Sequence, residues 1–326
     1  MRRTLGALAL ALMLLFLAGC SPAKEAADKD PGSVVVGFSQ LGAESSWRIA
    51  NTASMVSAAE GYGFALMMEN ANQKQEMQIK SIRSFIASRV DVIVFSPIVE
   101  TGWENVLREA KEADIPVILM DRMIETKDDT LYTAYVGADF YAEGRRAGEY
   151  LLRKADALGA ESLRIVEISG TIDSTPMRDR QQGFMDVIRD DPRFTVIDSI
   201  SGDFLRSMGE ECMTELLGRH GTDGIDVVYS HNDSMTLGAL DVIERAGLRP
   251  GQDILLISVD GEAEAVQALK DGRINCIVQC TPALGGSVMS LVQGLVSGRS
   301  IPKVSHPVES LYSDLDGLSD PAPEGF

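Results

Sequence analysis

Short apolar runs and amphipathic stretches alternate along this chain almost without interruption, and that rhythm restricts it to sheets of parallel strands joined by helices. Runs with strand character occupy 34–39, 64–69, 92–96, 117–121 and 132–137, then 163–169, 195–201, 227–231, 254–260 and 276–279. Between them lie helical patterns such as 75–86, where Ile79, Ile82, Phe85 and Ile86 recur at helical spacing, and 236–246. Pro116 precedes its run, where it removes no interior ladder bond. The runs fall into two similar halves, 34–137 and 163–260, in which VIVFSP at 92–97 corresponds in order to VVYSHN at 227–232. Two doubly wound α/β domains facing one cleft follow, and domain pairs of this size usually move relative to each other.

Three of these runs stop at polar residues. VILM precedes Asp121 and Arg122, VVYS precedes His231, Asn232 and Asp233, and ILLISV precedes Asp260 and Gly261. In open parallel sheets, ligands bind outside the carboxyl ends of the strands, so these ends predict the site. Asp, Asn, Gln and Arg can each hold adjacent hydroxyls with a forked pair of hydrogen bonds, while an aromatic face covers C–H groups. That chemistry suits a sugar. A wrong stereoisomer would leave buried polar groups unpaired at about 1–3 kcal/mol each. Simpler roles compete: Asp233 reads as the N-cap of its helix, Asp260-Gly261 as a turn, Arg122 and Arg180 as surface ion-pair partners, and Trp103 as packing. Asn232 is harder to explain that way, because it directly follows an apolar strand.

The N-terminus reads as an export signal over 1–19, with Arg2 and Arg3 before an apolar stretch at 5–17 that is short for a membrane span. Leu17-Ala18-Gly19-Cys20 resembles the bacterial lipoprotein box, in which the cysteine carries a lipid, and the polar segment 20–33 suits a tether. The net charge of −18 argues against nucleic acid as a partner. Nucleophile-elbow, P-loop, zincin and dinucleotide-binding signatures are absent, as are metal-ligand spacings among His220, His231 and His306. No enzyme activity, cofactor or metal is therefore expected. Cys212, Cys276 and Cys280 read as small buried apolar groups; on one strand, Cys276 and Cys280 would sit about 13 Å apart, too far for a bridge.

The segments 37–48 (GFSQLGAESSWR), 73–79, 96–103, 115–122, 180–184 (RQQGF), 201–204, 231–233 and 258–261 together resemble the periplasmic sugar-binding proteins of the ribose-binding type, and within them the galactofuranose-binding branch. The resemblance implies the type I periplasmic binding fold, an α/β architecture of two doubly wound parallel-sheet domains joined by a three-segment hinge. It puts crossings near 136–139, 279–281 and 305–308. The lobes would then comprise 34–137 plus 282–305 and 138–281 plus 306–326. It also implies that Trp47 stacks on the sugar, that Arg48 reaches hydroxyls, and that Asp121 and Arg122 grip from the first lobe. Arg180, Phe204, Asn232 and Asp260 would grip from the second, with Gln279 beside the hinge and Glu44 in the first loop. Ribose binders carry aromatic residues where this chain has Arg48 and Val259, which suggests a more hydroxylated sugar such as a hexose in its furanose form. The implied partners are a monosaccharide and the permease and ATPase of an ABC transporter, with the protein a monomer held to a membrane by its N-terminal lipid. The same residues would serve a sensor that binds a sugar or an autoinducer-like furanose and docks on a membrane receptor.

Overall fold

The computed structural model describes residues 33–316 and 324–326; the expected signal, nearly all of the tether and Cys20 lie outside them. The first half runs β1 (Val35–Gln40), α1 (Ser46–Tyr62), β2 (Ala65–Asn70), α2 (Gln75–Ala87), β3 (Val92–Phe95), α3 (Glu104–Glu112), β4 (Val117–Met120) and β5 (Ala134–Val136). The second runs α4 (Phe140–Leu158), β6 (Leu163–Ser169), α5 (Thr175–Ile188), β7 (Phe194–Ser201), α6 (Arg206–His220), β8 (Val227–Ser230), α7 (Asp233–Arg245), β9 (Leu255–Asp260), α8 (Ala263–Lys270) and β10 (Cys276–Gln279). Then follow α9 (Gly285–Val296), β11 (Val304–Ser305) and β12 (Leu311–Ser313). Each strand run read from the sequence forms within two residues of its expected limits. The central strands β3, β4 and β8 are buried along their whole length, which is why they read as unbroken apolar runs rather than alternating ones.

The strands make two six-stranded sheets, ordered β11-β5-β4-β3-β1-β2 and β12-β10-β9-β8-β6-β7. The first is parallel throughout, and in the second only β12 runs antiparallel, against β10. Apart from β11 and β12, both sheets have the doubly wound order 2-1-3-4-5, with the switch between β1 and β3 in one and between β6 and β8 in the other. The chain passes between sheets three times, over 137–139, 280–284 and 306–310. These crossings are tied together: His306 Nδ1 lies 2.8 Å from the Gly137 carbonyl, and Gln279 N donates to the Ser310 carbonyl at 2.9 Å. Among the described residues no helix is long and apolar enough to cross a membrane.

One expectation fails at the start of α7. Asp233 is not the N-cap but the first helical residue; Asn232 takes the cap, with extended backbone and its side chain accepting from Met235 N at 2.9 Å. The reason is tertiary. The Asp233 carboxylate is already engaged by the Ser258 hydroxyl and by Gly261 N and Glu262 N, both donating at 2.7 Å.

Candidate functional site

The first lobe contributes a helix start and a strand end. Ser45 caps α1, its hydroxyl accepting from Arg48 N at 3.2 Å, so the first turn aims Trp47 and Arg48 at the cleft. Beyond β4, Asp121 turns the chain with φ 66°, in the left-handed region, and Arg122 follows. The second lobe answers with Arg180 from α5, Phe204 after β7, Asn232 after β8 and Asp260 at the end of β9. Phe204 and Asp260 also have positive φ, 63° and 127°, so three strand-end residues of the cleft hold strained backbones that the surrounding fold must impose.

These residues enclose a small cavity between the two lobes. Glu44, Trp47, Arg48, Asp121, Arg122, Arg180, Phe204, Asn232 and Asp260 all line it. Gln279 does not: its Oε1 accepts from Ser310 N at 3.1 Å, so the amide is spent on the hinge, and it faces an adjoining hollow instead. Reading from sequence missed Ser45, Phe140, Pro176 and Cys280, which also line the cavity. A signal existed for them. Each sits at a helix start or directly after a strand, the same topological position that nominated the others.

The wall is a chain of buried ion pairs. Arg48 donates from Nε to Glu44 Oε1 at 3.1 Å and from Nη2 to Asp121 Oδ2 at 2.8 Å, and Ser96 Oγ donates to the same Asp121 oxygen at 3.0 Å. Arg122 donates to the Ile98 carbonyl at 2.9 Å, and its guanidinium lies 5.3 Å from the Phe204 ring across the cleft. Arg180 donates to Glu143 Oε2 at 2.7 Å and to the His231 carbonyl at 2.6 Å, stacks 5.1 Å from the Phe140 ring and ends 4.0 Å from Asp260 Oδ1. Trp47 is fixed edge-on by its Nε1, which donates to the Cys280 carbonyl at 2.8 Å, while the Arg48 guanidinium lies 4.7 Å from its ring.

Burial, followed by repulsion from Arg48, lowers the pKa of Arg122 to about 10, with Asp121 and Glu44 opposing the shift. Burial also opposes the charge on Arg180, yet its pairing with Glu143 leads the interactions that outweigh burial and hold the pKa above the ordinary arginine value. Asp260 is pushed well above the usual carboxylate range by burial, which the nearby Arg180 only partly offsets. Arginines 48, 122 and 180 face the carboxyl groups of Glu44, Asp121 and Asp260 around the cavity. Three buried atoms of this set have no hydrogen-bond partner: Glu44 Oε2, Arg48 Nη1 and Arg122 Nε. One acceptor and two donors are what a group of hydroxyls can satisfy.

Outside the cavity the simpler readings hold. Trp103 packs against Phe95 at 5.1 Å and donates to the Val99 carbonyl at 2.7 Å. Cys212 and Cys276 are free and buried, as is Cys280 in the cavity wall.

Comparison with known proteins agrees with this geometry. The family model for the periplasmic binding protein domain matches residues 36–300. The galactofuranose-binding protein YtfQ of Escherichia coli is 41% identical over 281 residues, covering 86% of this chain and 87% of that protein. A Mycobacterium smegmatis protein solved in complex with β-D-fucofuranose superposes with a TM-score of 0.84 at 44% identity, over 87% of this chain and 92% of that one. The periplasmic binding component of the arabinose ABC transporter of Shewanella sp. ANA-3, bound to α- and β-L-arabinofuranose, gives 0.82 at 40% identity, over 86% and 92%. With paired 2-1-3-4-5 sheets, one cavity between two lobes and a family match along most of its length, the chain belongs to the periplasmic binding protein family.

Proposed function

We propose that this protein captures one neutral monosaccharide in its furanose form, galactofuranose or a close relative, between its lobes and delivers it to the permease and ATPase of an ABC transporter. The observation that carries this reading is the cavity itself: it is small, built from both lobes and walled by buried arginine and carboxyl groups, of which Arg48 Nη1 and Arg122 Nε have no protein hydrogen-bond partner. The relatives support the ring form, since the proteins they name bind galactofuranose, fucofuranose and arabinofuranose. Glu44, Trp47, Arg48, Asp121, Arg122, Arg180, Phe204, Asn232 and Asp260 are the residues assigned to the ligand. The two lobes are 34–137 plus 282–305 and 138–281 plus 306–326, and the protein acts as a monomer. Family membership implies an extracytoplasmic location, and a lipid on Cys20 would hold the protein to a bacterial membrane.

A thermal-shift and calorimetry screen of the mature domain tests the ligand, using D-galactose, D-fucose, L-arabinose, D-ribose and D-fructose beside amino acids. A rise in melting temperature is expected with sugars that present a furanose, and a response to amino acids alone would refute the reading. Fractionation of cells making Cys20→Ser tests the anchor: the variant should leave the membrane fraction, and continued attachment counts against lipidation.

A further inference from the structure

Glu143 is fully buried, yet only one of its carboxylate oxygens is paired: Oε2 accepts from Arg180, and Oε1 has no partner. A carboxylate oxygen of Glu143, the Cys280 thiol and a carboxylate oxygen of Glu309 lie within 4.8 Å of one another. Glu309 belongs to the third crossing; its side chain is only 2% exposed, and its Oε1 accepts from Thr281 N of the second crossing at 2.9 Å. Two buried carboxylates so close together resist ionising together, and one of them retains a proton. Burial first, and the negative charge of Glu143 second, push the Glu309 pKa up to about 8. The charged groups facing the pair are Arg180 from α5, which holds the far oxygen of Glu143, and Arg146 from α4, 3.8 Å from Glu309 Oε2. Asp260 lies behind Arg180 at 4.0 Å, and burial keeps the Cys280 thiol neutral. With two guanidiniums beside it, the cluster is a poor cation site and a good proton site.

We propose that a proton shared by Glu309 and Glu143 holds Arg180 in the wall of the sugar cavity and is taken up as the lobes close, making Glu143 and Glu309 positioning residues for the ligand. This rests on the sugar-binding reading for what the cavity holds. The shared proton gives Glu143 Oε1 its missing partner. Cys280 couples the pair to the ligand, because it lies against both carboxyl groups and also lines the cavity. Water admitted to an open cleft therefore reaches the pair and eases its ionisation, whereas closure dries it and restores the proton. The sign follows. The closed form keeps the proton up to a pH of about 8 and the open form loses it at lower pH, so affinity declines as pH rises toward 8 and is level above it.

Calorimetry with D-galactose and D-fucose near neutral pH, in buffers of different ionisation enthalpy, reads the proton directly. Wild type should take up a proton on binding, and its affinity should fall about tenfold between about pH 5.5 and about pH 8.5. Glu309→Gln keeps a donor toward Glu143, so it should bind with no proton uptake and a flat pH profile. Equal proton uptake by the two proteins overturns the proposal. A second measurement needs no ligand. The unfolded chain releases the Glu309 proton at the ordinary carboxylate pKa while the folded chain keeps it to about 8, so wild type should lose stability relative to Glu309→Gln as pH rises toward 8. Parallel denaturation curves would remove the shared proton. Diverging curves in a protein that binds neither sugar would instead uphold the proton and sink the sugar reading.

Discussion

Asp121 is bonded at one oxygen to Arg48 and Ser96, and Arg180 is bonded to Glu143 and the His231 carbonyl, so each reaches the ligand already oriented by protein partners. Such preorganisation limits the ordering cost of binding. Asp121→Ala should lower sugar affinity by about tenfold or more, using about 1.5–3 kcal/mol for a charged hydrogen bond. Arg180→Ala should lower it at least as much. It should also cost about 3–5 kcal/mol in stability, because Glu143 is left as a buried charge without its cation. Calorimetry and urea titration check both, and undiminished affinity in the two variants would take these residues out of the site. Asp260 depends on a neighbour that reading from sequence had assigned elsewhere. Asp233 receives Gly261 N and Glu262 N, and so holds the backbone that gives Asp260 its φ of 127°. Both Asn232 and Asp233 are good cap residues. The choice between them depends on donors from the loop after β9, more than 25 positions away, which no local pattern contains.

Helices α4 and α5 approach so closely that a Cβ on Gly144 would lie 2.1 Å from the Arg180 carbonyl oxygen, and one on Gly183 would lie 2.1 Å from the Tyr141 carbonyl oxygen. That contact is what brings Glu143 against Arg180. Gly144→Ala should therefore destabilise the fold by about 1–3 kcal/mol through overpacking and also weaken sugar binding by displacing Arg180. Denaturation paired with calorimetry tests the coupling: a loss of stability with unchanged affinity would show that the helix crossing does not set the arginine. At this scale the strands were the most legible elements, since buried parallel strands carry continuous apolar runs such as VIVF and VVYS. The glycine contact between two helices was not, because either residue alone reads only as a poor helix former.

Across the whole molecule the two lobes meet in a closed arrangement. Glu100 N donates to the Asp173 carbonyl at 3.0 Å, Met123 N donates to Thr175 Oγ1 at 3.1 Å, and Arg178 pairs with Glu100 at the rim. In a closed form without ligand, Glu44 Oε2, Arg48 Nη1 and Arg122 Nε would lack partners at about 1–3 kcal/mol each, so the lobes should open until hydroxyls supply them. Small-angle scattering should show a smaller radius of gyration on adding sugar. Glu100→Gln should weaken binding about two- to fivefold, because the Arg178 side chain is half-exposed and such pairs contribute less than about 1 kcal/mol. An unchanged radius with saturating sugar would contradict closure. The sequence alone determined the alternation of strands and helices, the duplication into two halves and the strand ends where polar residues gather, because periodicity and topological position are local or additive along the chain. Only the tertiary structure decided that Gln279 serves the hinge, that Phe140 and Cys280 join the wall, and that Glu143 and Glu309 share a buried site behind Arg180. Those outcomes depend on distances between residues far apart in the chain, and on the loss of water where they meet.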